Sequence, residues 1–376
     1  MTTLAIVGAA ESDMGEVGPG LTPADLMRQA TLRALDDAGL ALSDVDGLFA
    51  ATSQLPQSHL SLGEALGILP QVRWLDGTHL GGASALVHLE HAQAAIAAGL
   101  CEVAVIAYAS TQRSAGRSTA RSGVEIPSWE APYTPMLPIA LYAMAAARHM
   151  AQYGTTAEDL ARVAVSGRRW AMDNPKAWSR DPLTVEDVLA APRLCDPFGV
   201  RDCCLVTDAG GALVVTSAER ARTLRREPVH LLGAASMASH RSVSGLQGHI
   251  TVTGATQTGP AALQEAGLRH GDVDAVQLYD AFTITPLLYL EDIGFCAKGE
   301  AGAFVASGAT LPGGSLPMNT NGGGLSYQHP GMYGMQLLNE AVRRLRETDD
   351  HVVLGHGMNG PLASHATVVL GDASTR

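Results

Sequence analysis

One fifteen-residue phrase occurs twice in this chain, and it limits the available folds more than any other feature. Residues 34–48 read ALDDAGLALSDVDGL and residues 262–276 read ALQEAGLRHGDVDAV, identical at eight of the fifteen positions. Each copy ends a helical pattern at a glycine, a residue that stops helices. Each then crosses a short turn and enters an apolar strand through Asp-Val-Asp. A phrase this long, repeated 228 residues later, implies a duplicated unit and a chain folded as two similar halves.

The flanking patterns agree. A short apolar strand from Leu4 leads through a Gly-rich loop to Thr22-Pro23-Ala24-Asp25, an N-cap with proline at the first helical position. That helix runs to Ala38 and stops at Gly39. Further on, the loop Gly77 to Gly82 enters an Ala-rich helix ending near Gly99, followed by a strand from Glu102 to Tyr108. The second half offers the counterparts. Its loop, Asn319 to Gly334 (NTNGGGLSYQHPGMYG), enters a helix to about Arg346, and a strand runs from His351 to Gly355. Short apolar strands alternating with helices predict an α/β layered fold.

The halves are expected at 1–225 and 226–376, with an excursion at about 110–200 inside the first. Asp208-Ala209-Gly210-Gly211 introduces the last strand of the first half, Ala212 to Thr216, and the second half begins near His230. Within the excursion, Thr111 to Arg121 carries Arg113, Arg117 and Arg121 among small polar residues. This segment reads either as a surface loop or as a basic clamp for a substrate phosphate. A pseudo-twofold between the halves would bring the two Gly-rich helix-start loops together near the centre.

Composition excludes several function classes. With 46% hydrophobic and 16% charged residues, the 376-residue chain has ample core and little scope for disorder. A formal charge of −12 argues against nucleic-acid binding. No apolar run reaches the roughly 18 residues of a membrane span, and no charged leader precedes an apolar stretch. Cys101, Cys195, Cys203, Cys204 and Cys296 show no paired metal spacing, which suits a reduced, cytoplasmic protein with buried thiols.

Four loops at strand ends or helix starts carry polar residues in corresponding places: Thr78-His79-Leu80, Tyr279-Asp280-Ala281-Phe282-Thr283, Tyr327-Gln328-His329-Pro330 and His356-Gly357-Met358-Asn359. The set lacks the convergent His and carboxylate ligands of a metal site, so no metal is expected. Imidazole and phenol suit proton transfer and polarisation of a carbonyl oxygen. Glycines in the 319–334 loop allow close backbone approach to a ligand. Asn319, Gly323, Gly324, Tyr333 and Asn359 are accordingly the candidate substrate contacts.

The stretches AIVGAAES, DDAGLALSDVDGL, YDAFTITPLLYLEDIGFCAKGEAGAFV, NTNGGGLSYQHPGMYGMQLLNEAVRRLR and HGMNGPLASHATVVLG resemble the thiolase superfamily, in particular thiolases of the sterol-carrier-protein type. The resemblance runs essentially end to end. It implies the thiolase fold, two pseudo-twofold βαβαβαββ halves in five αβαβα layers, and a homodimer acting on acyl-CoA. It also implies that coenzyme A is part of the substrate and that there is no separate cofactor.

The departures are chemical. Where thiolases carry a nucleophilic cysteine in a Cys-x-x-Gly loop, this chain reads His79-Leu80-Gly81-Gly82, and the C-terminal loop Gly355-His356-Gly357 lacks the second cysteine. Ping-pong acyl transfer needs a thiolate. The changed loops resemble the lipid-transfer-protein-like aldolases, which cleave steroid-CoA side chains by a retro-aldol reaction beside a small OB-fold and zinc-ribbon partner. On that resemblance Tyr279 is the base at the β-hydroxyl, with a lowered pKa. His329 lies at the thioester oxygen or Cα, Tyr327 or Tyr333 is the acid, and His79 and His356 orient or donate. A non-cysteine acyltransferase and an inactive acyl-CoA-binding subunit are the alternatives.

Overall fold

The computed structural model describes residues 3–116, 126–134 and 136–375; Arg117 and Arg121 of the proposed clamp lie outside them. The first half runs β1 (Leu4–Glu11), α1 (Pro23–Ala38), β2 (Gly47–Ala50), α2 (Ser58–Leu66), β3 (Trp74–Asp76), α3 (Ser84–Ala97) and β4 (Val103–Ser110). Its excursion holds α4 (Ile139–Tyr153), α5 (Ala157–Met172), α6 (Val185–Leu189) and a ribbon of β5 (Arg193–Cys195) with β6 (Phe198–Gly199). β7 (Ala209–Ser217) and α7 (Ala218–Ala221) close it. The second half runs β8 (Val229–Ala238), α8 (Ala255–Ala266), β9 (Ala275–Leu278), α9 (Ile284–Ile293), α10 (Ala301–Ala306), α11 (Gly323–Ser326), α12 (Gly334–Glu347), β10 (Val352–Asn359) and β11 (Ser364–Gly371).

The sheet order is β3-β2-β4-β7-β1-β8-β11-β10-β9, which reads symmetrically outward from the β1–β8 join. β1 pairs antiparallel with β7 as β8 does with β11, and β2 lies parallel to β4 as β9 does to β10. The counterpart of β3 shrinks to one parallel bridge, Val276 to Met318. Pro317 beside it has no N–H to give, and Asn319 turns to φ 50°, so pairing cannot extend. Helix α1 covers β1, β7 and β4, while α8 covers β8 and β11. Between them α3 and α12 touch each other and strands of both halves. The result is five layers, with the two helix-start loops in the middle one.

The repeated phrase performs the same work in both halves. Gly39 and Gly267 both take φ 71° to end α1 and α8. Asp44 and Asp272 then cap the following turns, accepting the N–H of Ala41 and Arg269. Asp46 accepts from Glu102 and Val103 at the start of β4, and Asp274 accepts from His351 and Val352 at the start of β10. Ala34 and Ala262 press their carbonyls on Gly8 and Gly233, where a Cβ would come within 2.0 and 2.1 Å of them. Identical residues recur because each copy docks a helix on a glycine and pins the start of a neighbouring strand by a half-buried carboxylate.

Candidate active site

Tyr279 follows β9, in parallel register with β10, and its N–H donates to the His356 carbonyl at 3.0 Å. The ring then lies against Gly82 in the loop that starts α3. A Cβ on Gly82 would come within 1.9 Å of it, so only glycine admits this approach. The 319–334 loop of the same half brings His329 Nε2 to 3.1 Å from the Tyr279 hydroxyl. The N–H of Tyr333 donates to the same phenol oxygen at 3.2 Å. Tyr108 on β4 braces the loop, donating to the Pro330 carbonyl and accepting from Met332 N.

Both members of the pair are buried, and burial sets their protonation. It pushes the Tyr279 phenol well above its ordinary value and lowers His329 to about 4. The expectation of a lowered Tyr279 pKa is therefore overturned, because among the described residues no cation offsets desolvation. At neutral pH the phenol keeps its proton and the imidazole is neutral. A neutral imidazole with its proton on Nδ1 accepts the phenol hydrogen at Nε2. This is a neutral relay rather than a phenolate.

Asp280 is the residue that sequence reasoning passed over. Its buried carboxylate accepts from Gly324 N at 2.6 Å and Leu325 N at 3.3 Å, and burial raises it to about 7. The expected substrate contacts Gly323 and Gly324 are turned inward on this group. A Cβ at Gly323 would meet Asp280 at 2.0 Å, and the Gly323 amide donates to Asn321 Oδ1. Asn319 is likewise engaged, its carboxamide closing both ways on the Leu278 backbone at 2.7 and 2.9 Å. These residues shape the loop and leave no free donor for a ligand. The Asp adjoining Tyr279, facing a Gly-Gly-Gly run, was the available signal.

Loss of the Asp280 charge loosens the clamp on the segment leading to His329. The acid limb of kcat/KM is therefore expected near pH 7, with activity present above it and falling as pH drops through it. His329 would contribute a limb only near pH 4. A pH–rate profile of Asp280→Asn checks this: the limb near 7 should vanish.

Two further candidates fall away from the pair. Tyr327 sends its hydroxyl to both carboxylate oxygens of Glu11, at 2.7 Å, beside Lys176 at 3.3 Å from the same group. Helical turning of α11 aims it there, so it is not bonded to Tyr279 or His329. His356 sits on the face of β10 opposite Gly357, bonded to Thr367 and to His365 at 3.2 Å and packed on Tyr289. Strand alternation puts it away from α3 and away from the site, and its side chain cannot serve as a donor there. Gly357 instead faces the Gly82 carbonyl.

The remaining candidates line the rim or the wall. His79 is exposed and bonded to Ser53 at 3.3 Å, and Asn359 lays its carboxamide on Gly81. Tyr333 stacks its ring parallel to His329 and donates its hydroxyl to Asn321 at 2.7 Å. The thiols nearest the site are Cys203 and Cys204, whose backbone pairs with Phe282 and Ala281. Burial pushes Cys203 up to about 12 and Cys204 up as well, so neither is a thiolate at neutral pH. Among the described residues no three His, Cys, Asp or Glu side chains converge on a metal position.

Residues 235–372 match the family model described as thiolase C-terminal domain-like. The 17-hydroxy-3-oxo-4-pregnene-20-carboxyl-CoA lyase of Mycobacterium tuberculosis is 36% identical, with 93% of each chain covered. The steroid side-chain-cleaving aldolase of Thermomonospora curvata is also 36% identical, over 92% of this chain and 90% of that one. The chain belongs to this aldolase family of the thiolase superfamily. A solved Ltp2-ChsH2(DUF35) aldolase superposes with a TM-score of 0.88 at 34% identity, covering 99% of this chain and 98% of the other. The expected thiolase fold is thereby shown. In this thiolase-superfamily aldolase the Tyr279–His329 pair joins two loops of the second half, and the Tyr279 ring meets the first half at Gly82.

Proposed function

We propose that this protein cleaves the Cα–Cβ bond of a 3-hydroxyacyl-CoA by a retro-aldol reaction, with a steroid or lipid side chain as the acyl group. The observation that carries the reading is the Tyr279–His329 hydrogen bond. The β-hydroxyl gives its proton to the Tyr279 oxygen as the phenol passes its own to His329 Nε2. The O–H electron pair becomes the new C=O, the Cα–Cβ bond breaks, and its electrons move onto the thioester oxygen as an enolate. The pair then returns the proton to Cα. One 3-hydroxyacyl-CoA gives one carbonyl compound and one shortened acyl-CoA, and free coenzyme A is not consumed.

Concerted movement avoids a buried phenolate, which the site disfavours. His79 and Asn359 at the rim are the proposed donors to the thioester oxygen. No cysteine takes part in this scheme and coenzyme A enters only as part of the substrate. Product analysis with a 3-hydroxyacyl-CoA branched at C3 tests it. A ketone plus shortened acyl-CoA without added coenzyme A is the expected result. A requirement for free coenzyme A would replace the lyase by an acyltransferase.

We further propose that the protein works in the cytoplasm as a homodimer together with a small OB-fold and zinc-ribbon subunit; the name of the Ltp2-ChsH2(DUF35) aldolase gives that relative a second component. Support for the dimer comes from β3, an edge strand with Trp74 36% and Leu75 40% exposed. Open apolar edges invite pairing with another chain. Mass measurement in solution should give twice the 39.0 kDa of the chain, and Leu75→Lys should shift it to the monomer. Among the described residues no helix is long and apolar enough to cross a membrane.

A further inference from the structure

Beyond the Tyr279–His329 pair, one buried carboxylate organises a wall of the site without touching the reacting groups. Asp208 is completely buried, just before β7. It accepts from Val17 N at 3.0 Å, Arg113 N at 2.8 Å and Ser114 N at 3.0 Å, and from the Ser114 hydroxyl. Ser114 in turn accepts from Gly18 N at 2.9 Å. A buried carboxylate held by backbone donors is costly to create and stiff once made. Two loops distant in sequence are fastened to it: the one after β1 and the one after β4.

The second loop reaches the site. Thr111 N donates to Gln54 Oε1 at 2.9 Å, and the next residue, Gln112, lays its carboxamide over Gly331. A Cβ at Gly331 would come within 2.3 Å of Gln112 Oε1, and Gly331 is exposed with φ 93°. The Gly331 carbonyl is itself 3.5 Å from the Tyr279 hydroxyl. Next to Asp208, Thr207 grips His329 from both sides: its hydroxyl accepts the His329 N–H at 2.9 Å and its own N–H reaches the His329 carbonyl at 3.3 Å. Thr207 and Asp208 thus register the Gln112 loop against the catalytic loop.

We infer that Gln112 contacts the substrate beside the Tyr279–His329 pair and that Asp208 is a positioning residue acting through it. The inference rests on the lyase reading for what the substrate is, since a carboxamide at this place meets the thioester group. Glycine at 331 is required because any side chain would displace the carboxamide.

Binding of octanoyl-CoA, which lacks the hydroxyl and cannot be cleaved, separates the two readings. Isothermal titration should show Gln112→Ala and Asp208→Asn each weakening Kd about three- to tenfold, the range of one lost hydrogen bond. The double variant should bind no more weakly than the weaker single, because Asp208 acts through Gln112. With the cleavable substrate, KM should rise while kcat stays within about threefold. Tyr279→Phe should bind octanoyl-CoA like the wild type. Ser114→Ala, which removes one donor from Asp208 and spares the Thr207 grip, should weaken binding in the same direction if Asp208→Asn does not fold. Unchanged binding in Gln112→Ala, or multiplying effects in the double variant, would overturn the inference. Failure of the wild type to cleave any substrate would sink the lyase reading instead, and the titration would still judge this one.

Discussion

Tyr279→Phe should lower kcat by about 10²–10⁴-fold, the usual worth of a positioned acid–base group, with binding of the acyl-CoA intact. The variant removes one oxygen and leaves the ring on Gly82. It deletes the only hydroxyl bonded to His329 Nε2 among the described residues. It also deprives Tyr333 N of its acceptor, so a stability loss of about 1–3 kcal/mol accompanies it. His329→Ala should cost a similar factor, and the double variant should be no worse than the poorer single, because the two groups move one proton between them. Steady-state kinetics of the three variants on one 3-hydroxyacyl-CoA decides this. Retention of activity within tenfold in Tyr279→Phe would show that another group takes the hydroxyl proton.

Gly334→Ala should be strongly destabilising. Gly334 opens α12 where it meets the start of α3, and a Cβ there would come within 2.1 Å of the Gly82 carbonyl oxygen and 3.2 Å of Leu86 Cδ1. The first contact is backbone on backbone, and no rotamer change relieves it. Gly82 cannot retreat, since its own Cα faces the Tyr279 ring and the Met358 carbonyl. Overpacking of this kind costs about 1–3 kcal/mol, and a backbone clash falls at the upper end, which chemical denaturation measures directly. Gly20→Ala is the control: nothing lies within 4 Å of its Cβ position, so its effect should stay within about 0.5 kcal/mol. Equal stabilities for the two variants would mean that the halves do not meet as tightly as described.

Much of the architecture was legible because it is written in local chemistry. The Thr22-Pro23-Ala24-Asp25 cap forms a full capping box, with Thr22 and Asp25 bonding each other's backbone N–H. Asp-Val-Asp caps a turn and pins a strand start in both halves, so the duplication shows in the letters themselves. The helix-start loops were located for the same reason. The pairing of Tyr279 with His329 was within reach, since both lay on loops at equivalent strand or helix ends.

Other residues were decided by distance along the chain. Glu11 claims the Tyr327 hydroxyl from 316 residues away, and nothing near Tyr327 signals it. His356 follows strand alternation, and its flanking Gly355 and Gly357 marked the helix-facing side, yet which face held the site depended on the sheet wrapping around α3 and α12. The protonation of Tyr279, His329 and Asp280 is set by burial, a property of the whole fold. By itself the sequence determined the duplicated halves, their caps and the loops that carry chemistry, because hydrogen bonds a few residues apart specify these. Only the tertiary structure decided which side chains share a site and in what charge state, because both depend on packing between segments hundreds of residues apart.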